Sequence, residues 1–150
     1  MAFDPNSFLH EVVEGKTEDS FTPIPEGEYT AFIEEVSAEN VETRTGPTPI
    51  LRVNYLLTGD EVMELTGLDR PMVRQDIWLD LDESGRIAQG KNKNVRLGRV
   101  RSAVGQNTDG QPWSPSQLRG AGPVLIMVGH RYNKETGEGP YSDVKRITKV

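Results

Sequence analysis

The stretch Thr48-Pro-Ile-Leu-Arg-Val-Asn-Tyr-Leu-Leu57 decides the fold class. Leu51, Val53, Tyr55 and Leu57 alternate with Arg52 and Asn54, and a period of two places one set inward and the other outward on a half-buried β-strand. The run Met72 to Leu81 repeats the pattern, with Val73, Ile77, Leu79 and Leu81 mostly inward and Arg74, Asp76 and Trp78 on the opposite face. Working outward, Gly27 to Val36 alternates Tyr29, Ala31 and Ile33 against Thr30, Phe32 and Glu34. Pro123 to His130 is apolar enough to be buried on both faces, and Tyr141 to Thr148 supplies a fifth strand. Between these runs, Ser37 to Pro47 reads as a polar loop, and Tyr132 to Pro140, rich in Gly, Asn and Glu, as a hairpin loop.

One helix interrupts the strands. Leu97, Val100 and Val104 recur at helical spacing with Ala103 beside them, Asn92 or Asn94 is placed to cap the start, and Gly105 to stop the end. Arg96, Arg99 and Arg101 fall on its other faces and read as a solvated surface. A helical turn around Glu61 to Leu65 and a short helix from Ser114-Pro115 to Leu118 complete the elements. The order is β-β-β-α-β-β, that of a mainly β, five-stranded OB-fold-like Greek-key barrel with a helix between strands 3 and 4. A curled five-stranded sheet packed on one helix carries the same order.

With 150 residues the chain has the size of one domain. Residues 1–22 form an acidic N-terminal arm, in which Asp4-Pro5 starts a turn of helix reaching Leu9 and Val13 and the phenylalanines Phe3, Phe8 and Phe21 follow no sustained period. Thr22-Pro23-Ile24-Pro25 then forces extended backbone into the domain of residues 23–150. There is no cysteine, which excludes disulfides, thiolate metal sites and cysteine nucleophiles. The arm has acids where a targeting peptide carries bases, and the longest uncharged stretch, Gly120 to His130, is too short and glycine-rich to span a bilayer.

The net charge of −6 argues against a nucleic-acid partner until it is resolved along the chain. Residues 1–85 carry 5 basic and 19 acidic side chains, whereas residues 86–150 carry 12 basic and 4 acidic ones. An acidic half of −14 joined to a basic half of +8 fits a polyanion-binding surface, or charges that neutralise one another across the folded surface.

Catalytic motifs find little support. Gly85 to Lys91 matches GxxxxGK, but Asn92 stands where a magnesium-binding hydroxyl belongs, and the surroundings are antiparallel rather than βαβ. Asp80 to Gly85 resembles half a calcium loop, yet its twelfth position is Lys91 instead of glutamate, so a solvated acidic turn is the better reading. His10 and His130 have no metal-ligand spacing, and no GxSxG elbow activates a serine. The expectation is no enzyme, no cofactor and no metal.

What remains is a set of cations interleaved with aromatic rings on β elements. Arg52 and Asn54 share the outer face of strand 2, and Arg74 and Trp78 that of strand 3, the face on which OB-folds bind oligonucleotides. The first hairpin loop adds Arg44, and the last adds Arg131, Tyr132 and Lys134, with Tyr141 beyond; Lys91 and Lys93 are peripheral cations. Cations track phosphates and rings stack on bases, the pairing that single-strand binding requires. Trp78 fits equally a core position at the end of the barrel; Tyr55 reads as core and Trp113 as a cap on it.

The segment from Phe21 through Pro25-Glu-Gly-Glu-Tyr-Thr-Ala-Phe-Ile33 resembles the opening strand of phage-encoded single-stranded-DNA-binding proteins. Trp113 through Gln117-Leu-Arg-Gly120, Val124 to Val128, and Tyr141-Ser-Asp-Val-Lys-Arg146 are similar to their closing strands, so the resemblance spans roughly residues 3–148. It implies an OB-fold, a role in phage DNA replication or recombination in the host cytoplasm, and no catalytic residue. The DNA contacts named above come from strand phase and charge instead. The expectation is a protein that coats single-stranded DNA with little sequence preference, its acidic arm docking phage replication or recombination proteins or competing with the DNA. The alternative is a phage protein–protein adaptor or structural module on the same barrel that does not bind DNA.

Overall fold

A computed structural model describes residues 3–19 and 22–150. Phe21, at the head of the opening segment, lies outside them. Five strands, β1 (Gly27–Thr43), β2 (Gly46–Leu57), β3 (Met72–Trp78), β4 (Val124–Arg131) and β5 (Tyr141–Lys149), form one antiparallel sheet in the order β3-β2-β1-β4-β5. β1 is the hub. Its first residues, Gly27 to Ala31, pair with β4, and from Ala31 onward it pairs with β2. Where it changes partner, the Ile33 N–H donates to the Ala121 carbonyl and the Gly120 N–H to the Ile33 carbonyl, so the segment before β4 answers both backbone groups of Ile33.

The inward faces meet in a single core. Leu51, Val53, Tyr55 and Leu57 are all buried, as their alternation implies, together with Ala31, Ile33, Val73, Ile77, Val124, Ile126 and Val128. Helix α1 is the arm's short turn (Pro5–Phe8), α2 spans Asp60–Thr66 and α3 Val95–Ala103. α3 plugs the core with Leu97, Val100 and Ala103, and a 3₁₀ turn (Pro115–Leu118) adds Leu118. The Tyr55 hydroxyl donates to Gln75 Oε1 at 2.7 Å. Burial pushes that phenol well above its ordinary pKa.

Several expectations need correction. The sheet is not closed into a barrel: β3 and β5, its two edges, are not paired with each other. Gln75 and Asp76 on one edge face Asp143 to Thr148 on the other across a cleft, and charged side chains of this kind keep strand edges apart. Ser37 to Pro47 is a ribbon rather than a loop, because β1 and β2 continue until Arg44 and Thr45 make the turn. Pro47 and Pro49 are compatible with that ladder. The Pro49 carbonyl accepts from Leu79 N–H on the β3 side, so the missing N–H of each proline faces away from β1. β3 ends at Trp78, and Leu81 leaves the sheet to bridge Ile87. In the arm, α1 stops at Phe8, short of Val13; the Asp4 carboxylate accepts from Asn6 N–H at its start. Asn94 holds the N-cap position of α3, but its side chain ties the preceding loop to the Asp80 and Ala88 carbonyls instead of capping the helix.

Candidate nucleic-acid interface

The β2–β3 register places Ile50 opposite Trp78, Arg52 opposite Asp76 and Asn54 opposite Arg74, so the outward residues read from strand phase do share one face. Trp78 is 49% exposed, which removes the barrel-end core reading, whereas Trp113 is half-buried against the core and donates its Nε1–H to Gln106. The arginines of this face, however, are not free cations. Arg52 donates to both Asp76 oxygens, at 2.9 and 3.4 Å, and to Glu39 Oε2 at 2.8 Å. Asp76 holds the Arg52 guanidinium above its ordinary pKa and also lies 3.6 Å from Arg74 Nε. Two arginines answered by two carboxylates leave this patch close to neutral. The pairing needs cross-strand register, which alternation within either strand does not carry.

Asp76 is therefore the carboxylate that answers both arginines of this face. Asp76→Asn keeps its shape and releases both arginines from a carboxylate, and at low salt it is expected to raise affinity for oligo(dT) up to about fivefold, the scale of one screened surface charge. Titration of the variant beside the wild type measures this, and an unchanged affinity would remove Arg52 and Arg74 from the interface.

The remaining candidates separate into three places. Arg44 is at the exposed tip of the β1–β2 ribbon. Arg131 and Tyr141 are paired in the β4–β5 hairpin, the guanidinium 5.3 Å from the ring centroid, with Tyr132 and Lys134 exposed in the turn beyond. By register the two hairpin turns project from opposite ends of β1. Lys93 does not join the sheet face: it lines a cleft between α3 and β5, and Lys91 is exposed in the loop that leads there.

The motifs set aside above have structural roles. Asp82 Oδ1 accepts from the Ser84 hydroxyl and from the Ser84 and Arg86 N–H groups, which closes a turn; the Ser84 hydroxyl, foremost, holds the carboxyl below its ordinary pKa. His130 Nε2 donates to the Ile24 carbonyl and Ile24 N–H to Ser142 Oγ, which fastens the chain entering β1 onto β4 and β5. Among the described residues no helix is long and apolar enough to cross a membrane.

The cations that strand phase passes over are Arg96 and Arg99 on α3 and Lys145, Arg146 and Lys149 on β5. Arg146 pairs with Glu28 and Lys145 with Asp143, but among the described residues Lys93, Arg96, Arg99 and Lys149 have no carboxylate within salt-bridge distance. In the sequence, Arg96 and Arg99 read only as a solvated helix face and Lys93 as a peripheral cation, and Lys149 is visible only in the basic excess of the second half. Set against known proteins, the chain matches no family model, no curated protein sequence and no solved structure.

Proposed function

We propose that the protein is a non-enzymatic single-stranded-DNA-binding protein built on an OB-type sheet. One observation carries the reading. An exposed Trp78 shares a sheet face with Arg52, Asn54 and Arg74, and this face lies in a sheet whose two hairpin turns carry Arg44 and the Arg131–Tyr132–Lys134–Tyr141 group. The strand order β3-β2-β1-β4-β5, with β1 shared between β2 and β4, is the order an OB-fold has when its β3–β5 seam is open, and so supports that fold. Rings stack on bases without regard to sequence while cations follow the backbone, so binding is to single strands and largely sequence-independent. The phage setting, replication or recombination in the host cytoplasm, rests on the resemblance of the opening and closing strands. The arm serves a protein partner: Phe3, Phe8, Leu9, Val12 and Val13 are exposed among its acids.

Fluorescence titration with oligo(dT) tests this, with duplex DNA and ATP as controls. Saturable quenching by oligo(dT) alone is expected, its affinity falling with salt by a log–log slope of about 0.7 for each phosphate contacted. Because Arg52 is already held by Asp76 and Glu39, the sheet face also suits a protein partner. The absence of quenching by any DNA would leave the adaptor reading in its place.

A further inference from the structure

The clefts around α3 form one path away from the sheet face. The seam between β3 and β5, about 660 Å³, is lined on the β3 side by Gln75 and Asp76, the acid that lies between Arg52 and Arg74. Its other walls carry Arg96 and Arg99 from α3 and Asp143, Lys145 and Arg146 from β5, where Lys145 pairs with Asp143 and Arg146 with Glu28. Arg99, Ile147 and Thr148 also line the second cleft, about 730 Å³, between α3, β5 and the loop before the helix. That cleft is bordered by Lys93, Arg99, Arg101 and Lys149, and among the described residues no carboxylate lines it.

We infer that this seam and cleft hold the phosphodiester backbone of a DNA strand leaving the β2–β3 face. The inference rests on the single-strand-binding reading and extends it to a second, purely electrostatic segment of the site. Charge supports it: the sheet-face arginines are answered by Asp76 and Glu39, whereas among the described residues Lys93, Arg96, Arg99 and Lys149 have no such partner. The seam carries four cations against Asp76 and Asp143, and among the described residues the α3–β5 cleft carries cations only, so the path is net positive throughout. A positively charged cleft concentrates the opposite charge, and a strand carrying one charge per nucleotide is the polyanion that fits a continuous groove.

Local architecture keeps the groove open. Gly98 faces it from the middle of α3, and a Cβ there would meet nothing within 4 Å. A glycine inside a helix weakens it, so this position leaves space in the cleft at a cost in helix stability. On β4, Gly129 lets the Lys145 stem lie flat across the strand, since a Cβ would come within 2.7 Å of Lys145 Cγ, and the lysine ammonium is 3.3 Å from Asp143. Arg101 is fixed as a wall, its guanidinium 4.2 Å from the Trp113 ring centroid and its Nε–H donating to the Gln106 carbonyl.

The test compares a short oligo(dT) of about 6 nucleotides, enough for the sheet face, with one of about 20, within and beyond the usual span of one OB-type domain. The triple variant Arg96→Gln, Arg99→Gln, Lys149→Gln keeps much of the side-chain bulk and removes three charges. For the long oligonucleotide its salt slope is expected to fall by about 2, at about 0.7 per lost phosphate contact, while the short one binds as it does to the wild type. Gly98→Glu, which removes no contact and places a carboxylate in the cleft, is expected to weaken the long oligonucleotide about tenfold through like-charge repulsion and again to spare the short one. Should the triple variant not fold, as judged by circular dichroism and thermal unfolding, Gly98→Glu carries the test alone. A wild-type slope and affinity in the folded variants would overturn the groove and leave the sheet-face reading standing. An equal loss for both lengths would overturn it as well, because the damage would not be confined to the groove. Failure of the wild type to bind either oligonucleotide would remove the single-strand-binding reading itself.

Discussion

Tyr55→Ala is expected to lose about 3–5 kcal/mol of folding stability, the cost of truncating a large buried aromatic ring and leaving its cavity behind. Tyr55 has no exposed surface and sits in the middle strand of three, with Ile33 opposite it on β1 and Val73 opposite it on β3. The void is therefore flanked by two paired strands, which cannot close on it without breaking their ladders. A domain of this size has only about 5–15 kcal/mol in total, so the variant should be marginal at physiological temperature. Urea unfolding monitored by circular dichroism measures the change as a lowered midpoint at constant slope. Tyr55→Phe separates ring from hydroxyl. It should lose only about 1 kcal/mol, because Gln75 is half-exposed and can turn its carbonyl to water once the phenol is gone. A wild-type midpoint for Tyr55→Ala would mean that the ring is not at the centre of the core.

That residue also marks where sequence reading works. Leu51, Val53, Tyr55 and Leu57 announce their burial because one face of β2 is dry and the other wet, and alternation is the imprint of that difference. The ribbon beyond it was not legible for the converse reason. From Ser37 to Thr43 most side chains are exposed whichever way they point, so no alternation accompanies the strand and its polarity imitates a loop. The left-handed backbone at Asn94 hid in a similar way. An asparagine before a helix signals a cap, and whether its amide turns to the helix or to the loop is decided by Asp80 and Ala88, 14 and 6 residues earlier.

The candidate site divides along the same line. Membership of a face followed from phase, and Arg52, Asn54, Arg74 and Trp78 do lie together. What each residue can do there depends on its neighbours across strands. Glu39 reaches Arg52 from β1, 13 residues away in sequence, and Asp76 from β3, 24 away. The α3–β5 groove was beyond reach from the sequence because it exists only where the two sheet edges fail to meet, and helix periodicity alone assigns Arg96 and Arg99 to solvent. The net charge of −6 is thus a poor guide to binding, since acids and bases are unevenly answered. On the outward face of β2 and β3 the arginines are matched by carboxylates, and where the chain is most basic several cations have no carboxylate partner among the described residues.

Trp78→Ala is the sharpest test of the sheet face, because the ring has two possible duties with opposite signatures. As a stacking platform it contributes about 1–3 kcal/mol per base, so the variant should bind oligo(dT) roughly 5- to 150-fold more weakly, at unchanged salt slope since no cation is lost. As a lid it would shelter Ile50, its cross-strand partner, which is 1% exposed although it lies on the outward face, apart from the main core. In that duty the variant would lose stability, by the burial of one aliphatic side chain, and leave affinity alone. Trp78→Phe distinguishes them further: a phenyl ring still covers Ile50, but its smaller π-face stacks less well, so stability should be retained while affinity falls part of the way. With the Trp78 signal gone and only Trp113 left to fluoresce, the affinities are read from the anisotropy of a labelled oligo(dT), and stability from urea midpoints. Since Trp78 is half in solvent, the larger change is expected in affinity. The reverse, a destabilised variant that binds as tightly as the wild type, would make Trp78 a structural cover and move the stacking role to Tyr132 and Tyr141 in the β4–β5 hairpin.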